Sequence, residues 1–209
     1  MLAEERVRLQ LRRDDAAWEP AVVRDSLAVI EEESDRLADL IDDLLEASRL
    51  QSSALSLTLG DVDLAEIGRE LAERFRTQSS LHTFTVHLPK EFPLVRGDQE
   101  RLTQVVSNLL SNSIKYAAAG GEVQIQARAT PNEVVLCVQD EGPGISPADR
   151  TRVFERFFRP PDTARSTQGA GLGLFLAKAV IEAHGGRIWV DEKVEHGTRI
   201  CFSIPRERV

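Results

Sequence analysis

The chain has 209 residues, 42% of them hydrophobic and 29% charged, which is enough apolar material for one good core and a small second unit. Its formal net charge of −8 argues against non-specific nucleic-acid binding, so any phosphate site must draw on local cations such as Lys115, Arg156 and Arg159. The sequence shows no run of about 18 apolar residues and no leader-like opening, so no membrane crossing is expected within it.

Residues 1–13, rich in Glu, Arg and Leu, suit a helix; Asp14 to Pro20 breaks it, and Pro20 fits the first turn of a second, longer one. Val23, Leu27, Ile30, Leu37, Ile41 and Leu44 follow three-and-four spacing, with Ser34 and Ser48 completing a seam that repeats every seven residues. The acids between Glu31 and Glu46 all avoid that seam and read as a solvated face. Residues 55–59 alternate like a short strand, and Asp63 to Glu66 has the spacing of a capping box for a helix to about Gln78. Thr83 to Leu88 alternates as a strand, and Asp98 is the expected N-cap of a helix ending near Tyr116. Glu122 to Arg128 and Glu133 to Asp140 form an expected hairpin around Pro131-Asn132. Ser146 to Asp149 is expected to cap a short helix reaching Phe154. Strands at Arg187 to Val190 and Thr198 to Ile204 complete the sheet after a helix stopped by Gly185-Gly186. This segregation of helices and strands favours an α+β sandwich, with a helical segment in residues 1–54 and a globular domain in residues 55–209. Cys137 and Cys201 lie in apolar, strand-like runs without a C-x-x-C pattern, so reduced core thiols and a cytoplasmic location are expected.

Chemistry concentrates in three stretches. On the helix ending at Tyr116, Asn108, Asn112 and Lys115 fall within about 60° of one another, while Leu102, Val106, Leu109, Leu110 and Ile114 take the opposite arc. Carboxamide oxygens can ligate Mg²⁺ and an ammonium can meet phosphate, although a solvated amphipathic helix would show the same pattern. Asp140 closes the apolar run from Val134 to Val138 and is followed by Gly142-Pro143-Gly144-Ile145, where the glycines admit close backbone approach. Its carboxylate can accept from an exocyclic amino group such as that of adenine; a plain acidic turn is the simpler alternative. Gly169, Gly171 and Gly173 stand at alternate positions before an apolar helix through Leu174, Leu176, Ala177, Val180 and Ile181, whose free N–H groups would suit phosphate. The spacing is neither that of a dinucleotide fold nor that of a P-loop, and the polar, irregular residues from Phe158 to Gln168 read as a lid, with Phe154, Phe157 and Phe158 at its base.

Four segments, Asn108 to Tyr116, Asp140 to Ile145, Phe154 to Arg159 and Gly169 to Leu174, resemble in order the N, G1, F and G2 boxes of sensor histidine kinases, within the wider group that includes gyrase, Hsp90 and MutL. The resemblance runs from about residue 20 to the end. It implies a two-layer α/β sandwich, a mixed sheet covered by helices, that binds ATP (or ADP) with Mg²⁺ and follows a helical dimerisation segment. Asn108, Lys115 and Arg159 are then the catalytic residues, with Arg159 toward the γ-phosphate and Asn108 and Asn112 near the metal. Tyr116 and Asp140 meet the base, and Gly142, Gly144, Ile145, Phe158, Gly169, Gly171, Leu172, Gly173 and Leu174 complete the nucleotide contacts. A homodimer through residues 20–51 and a response regulator as partner are further expectations, and a membrane-anchored parent would carry its anchor outside this sequence.

Hydrolytic members of the wider group carry a glutamate at the position of Asn108; an amide cannot take a proton from water, so transfer to an external nucleophile is expected over hydrolysis. The sequence has no H-E-x-x-T-P run, and none of His82, His87, His184 and His196 precedes an acid, so self-phosphorylation is not expected. Nucleotide binding is expected to survive His82→Ala and to collapse on Asp140→Ala. A serine kinase of the anti-sigma-factor type and a nucleotide-responsive dimerisation module without kinase activity are the alternatives; the long seam helix speaks against the first, and the missing acceptor keeps the second open.

Overall fold

The computed structural model describes residues 23–31, 34, 41, 45, 56–89, 91–160, 170–194 and 196–206. Expectations for residues 1–22, most of the seam and the lid residues 161–169 lie outside them. The chain divides after Leu44 into two units. In the first, residues 23–31, 34 and 41 are helical, and the seam residues Leu27, Ile30 and Ile41 are 58%, 60% and 56% exposed.

The second unit opens with strand β1 (Gly60–Val62), a little later than the alternation at 55–59 suggested, since residues 56–59 form no strand. Helix α1 (Leu64–Gln78) starts where Asp63 Oδ1 accepts from the N–H groups of Ala65 (2.8 Å) and Glu66 (3.0 Å). It buries Leu64, Ile67, Leu71 and Phe75 along one stripe. Strand β2 (His82–His87) follows, then β3 (Val95–Gly97), which pairs antiparallel with β1 as a separate ribbon. Helix α2 (Gln99–Tyr116), strands β4 (Gly121–Ala129) and β5 (Glu133–Asp140), helix α3 (Gly173–Ala183) and strands β6 (Arg187–Val190) and β7 (Thr198–Pro205) complete the order. The short helix expected to reach Phe154 is only a 3₁₀ turn, Arg152–Phe154. Ser146 Oγ spends its bond on the Asp149 carboxylate at 2.8 Å, and no side chain caps the turn.

The main sheet has the order β2-β4-β5-β7-β6, with β2 parallel to β4 and every other pair antiparallel. Alternation along its strands gives the two faces different fates. Val123, Ile125, Val134, Leu136, Val138, Ile200, Phe202 and Ile204 join Leu71, Leu102, Val106, Leu109, Val180 and Ile181 in one core, so α1, α2 and α3 cover a single face. Each large side chain buried there contributes about 1.5–3 kcal/mol. The opposite face carries a polar ladder in which Gln126 donates to Gln124 (2.8 Å) and Gln124 to Glu122 (2.6 Å). The fold is therefore α+β, two layers deep, with β5 at its centre.

The cysteines correct an expectation. Cys137 and Cys201 are not reduced thiols but a disulfide, because they face each other directly across β5 and β7 with Cα atoms 4.0 Å apart. Sequence runs alone could not show that register.

Asp98 fastens the start of the domain to its centre. Its carboxylate accepts from the N–H groups of Thr58 (2.8 Å) and Arg101 (3.1 Å), and its own N–H donates to His184 Nε2 (2.9 Å). His184 in turn donates from Nδ1 to the Val180 carbonyl at 2.7 Å. Burial opposes ionisation of Asp98, but the backbone bonds from Thr58 and Arg101 and the charge of Arg101 outweigh it and hold the carboxyl below its usual range.

Candidate nucleotide-binding site

Helix α2 sorts its side chains as its periodicity requires. Leu102, Val105, Val106, Leu109 and Leu110 are buried, whereas Asn108, Asn112, Lys115 and Tyr116 remain partly open. Asn112 donates from Nδ2 to Asn108 Oδ1 at 3.2 Å, which places the two carboxamides side by side. Lys115 Nζ lies 5.3 Å from the centre of the Tyr116 ring.

Two glycine turns close on this helix, and the space left by their missing side chains shows how tightly. A Cβ on Gly173 would stand 2.5 Å from Asn108 Oδ1 and 2.6 Å from its Nδ2, so the start of α3 is pressed against the carboxamide. A Cβ on Gly142 would stand 2.9 Å from Asp140 Oδ1 and 3.3 Å from the Tyr116 carbonyl, which brings the turn after β5 onto the other end of α2. Gly144 adopts φ +81° within that turn, and Ile145 packs onto the core.

Asp140 is 5% exposed, and its Oδ1 accepts from the N–H groups of Gly142 (2.9 Å) and Thr198 (3.2 Å). Burial raises its pKa, and the bonds from Gly142, the Ser113 side chain and Thr198 only partly offset that. A carboxylate held in a partly desolvated niche beside a glycine turn is suited to accept from a ligand donor.

Between the two turns, Val153 and Phe154 anchor the base of the expected lid in the core. Phe158 also packs on the core, with the Arg152 guanidinium 4.2 Å above its ring. Phe157, at φ +63°, donates its N–H to the Gly171 carbonyl at 3.0 Å, and a Cβ on Gly171 would stand 2.8 Å from the Phe158 carbonyl. The chain therefore enters and leaves the segment between Phe158 and Gly171 at one point. Arg159 sits at this neck, its stem 3.2 Å from the same Gly171 position. Gly169 falls outside the described residues. Leu172, 2% exposed, packs with Leu176, and the partly buried Leu174 packs against the main core.

Three residues of this constellation were missed by sequence reasoning. Ser113 is a buried hydroxyl on the apolar side of α2 that bonds Asp140. Thr198 supplies its N–H through the pairing of β5 with β7. His82 bonds the Ala117 carbonyl. A polar residue at a core position was the available signal for Ser113; for the other two the link is a strand register that local sequence does not encode. Of the histidines, His82 and His184 have both ring nitrogens engaged, which leaves neither free to accept a phosphoryl group.

An asparagine-bearing helix that faces two glycine turns on a two-layer sandwich points to a domain of the ATPase class. Residues 97–208 match the family described as histidine kinase-, DNA gyrase B-, and HSP90-like ATPase. The chain is 35% identical over 197 residues to the sensor histidine kinase WalK of Bacillus subtilis (strain 168), covering 91% of itself and 32% of that protein. It is 34% identical over 183 residues to the alginate biosynthesis sensor protein KinB of Pseudomonas aeruginosa, covering 87% and 30%. Among solved structures, full-length ShkA in complex with AMPPNP is similar with a TM-score of 0.77 and 29% identity, over 93% of this chain and 41% of that one. The mycobacterial sensor histidine kinase MprB gives 0.62 and 35%, over 72% and 100%. The chain belongs to this ATPase family, on its sensor histidine kinase branch, and spans about a third of the length of these two curated relatives.

Proposed function

We propose that residues 55–209 are the catalytic domain of a two-component sensor histidine kinase, and that residues 1–54 belong to its helical dimerisation segment. The domain binds Mg-ATP and passes the γ-phosphoryl group to a histidine on a separate helix, from which it moves to a response-regulator aspartate. The observation that carries this reading is the convergence of Gly173 on Asn108 and of Gly142 on Tyr116 and Asp140 around one face of α2. A relative with a similar fold holds the ATP analogue AMPPNP.

The donor set fits a magnesium nucleotide. Among the described residues no cluster of three His, Cys, Asp or Glu side chains could cage a metal, and Mg²⁺ is commonly held by a few protein oxygens together with phosphates. Asn108 and Asn112 would supply those oxygens, and the ion would neutralise charge on the transferred group. Lys115 binds phosphate as a point charge, and Arg159 at the neck of the lid reaches toward the γ-phosphate. Asp140 orients the base. Asn108 does not deprotonate water, which favours transfer over hydrolysis. Leu27, Ile30 and Ile41, exposed in the single chain, bury themselves in a homodimer.

Incubation with labelled ATP and a separate helical hairpin bearing H-E-x-x-T-P tests the proposal. Acid-labile label on the hairpin, with none on this chain, is expected. Acid-stable label, or phosphate release without transfer, would overturn it.

A further inference from the structure

His82 is the first residue of β2 and is 7% exposed. Its Nδ1 accepts from the Ser79 hydroxyl at 2.7 Å, and its Nε2 lies 2.9 Å from the Ala117 carbonyl. A carbonyl only accepts, so the Nε2 proton points at Ala117. Ala117 caps the C-terminus of α2, directly after Tyr116, and its carbonyl also accepts from Gly120 N–H at 2.8 Å. The imidazole therefore ties the last turn of α2 to β2. That turn also holds Ser113, whose side chain bonds Asp140, and a Gly142 Cβ would stand 3.4 Å from Ala117 N.

We infer that His82 is a positioning residue for base recognition: by holding the Ala117 carbonyl it sets where Tyr116 stands relative to Asp140, the two residues proposed to meet the base. This rests on the proposed nucleotide pocket and replaces the expectation that His82 is dispensable for it. The phosphate end of the site, built on Asn108 and the start of α3, lies more than two turns of α2 from Ala117 and does not depend on this bond. Loss of His82 should therefore blunt the choice of base, whereas a merely structural residue would weaken all nucleotides alike.

The test measures Mg-ADP and Mg-GDP affinities for the wild type, H82A, H82N and H82Q, with a thermal melt for each. In H82Q the amide nitrogen can take the place of Nε2 and keep the Ala117 bond, whereas the shorter H82N keeps a group for Ser79 alone. H82A and H82N are expected to bind ADP about tenfold more weakly with GDP nearly unchanged, and H82Q to recover most of the preference. Wild-type affinity and preference in H82A, equal losses for ADP and GDP that track the melting temperature, or recovery in H82N but not H82Q would each overturn the inference. A wild type that binds neither nucleotide would overturn the pocket reading and this inference with it, whereas wild-type binding with an indifferent H82A overturns this inference alone.

Discussion

Gly173→Ala separates the fold from the site with a single methyl group. Gly173 is the first residue of α3, and among the glycines with a left-handed backbone it does not figure, so alanine is conformationally welcome there. In a helix interior that exchange stabilises by about 1 kcal/mol, and at the first turn by less. The new Cβ would nevertheless lie 2.5 Å from Asn108 Oδ1, about 0.9 Å inside the 3.4 Å at which ordinary contact begins. Because Asn108 Nδ2 and Cγ would also lie only 2.6 Å and 2.9 Å away, relief requires the whole Asn108 side chain to swing about its Cα–Cβ bond, which breaks its 3.2 Å bond with Asn112 and carries its oxygen away from a metal. The melting temperature should stay within a few degrees of wild type, corresponding to less than about 1 kcal/mol. Mg-ADP affinity, measured by calorimetric titration, should fall about tenfold or more, and the gain that Mg²⁺ confers on ADP binding should largely disappear. Unchanged Mg-dependent binding in a folded G173A protein would refute the placement of Asn108 at the metal.

Other outcomes follow from the same structure. Because burial raises the folded pKa of Asp140 above its ordinary 3.8, its stabilising contribution is fully present below that pH and is lost as pH rises through the folded value; D140N should thus be at least as stable as wild type at pH 7, with the gap closing below about pH 4 in urea melts. The shift of Asp98 runs the other way, so its contribution is present above pH 3.8 and lost as pH falls through its lowered folded pKa; D98A, which leaves Thr58 and Arg101 N–H groups without their acceptor, should cost about 1–2 kcal/mol at pH 7 and less under acid. Replacing the exposed Leu27 and Ile30 by Glu should convert a dimer into a monomer by light scattering while leaving ADP affinity unchanged.

Much of this was legible in the sequence because it is written in local periodicity. The arc of Asn108, Asn112 and Lys115 follows from helical geometry alone, and Asp63 and Asp98 announce their helices by residue type and position. The turn after Asp140 and the neck at Gly171 were visible as glycines, since few other residues tolerate φ near +80° or so close a backbone approach. What stayed hidden depends on which strands become neighbours. The disulfide requires β5 and β7 to align Cys137 with Cys201, the same alignment gives Asp140 the Thr198 N–H, and the bond from His82 to Ala117 spans 35 residues. The ribbon of β1 and β3 was missed because strands of three residues carry too little alternation to read.

The most direct measurement is the affinity of the wild-type protein and of D140N for Mg-ADP, with Mg-GDP as the control base. An amide at residue 140 keeps an oxygen for Gly142 and Thr198 but turns a donor toward the ligand's amino group, so D140N should lose most of its ADP affinity while melting no lower than wild type. Equal ADP affinity in both proteins, or a wild type that does not distinguish ADP from GDP, would contradict the account.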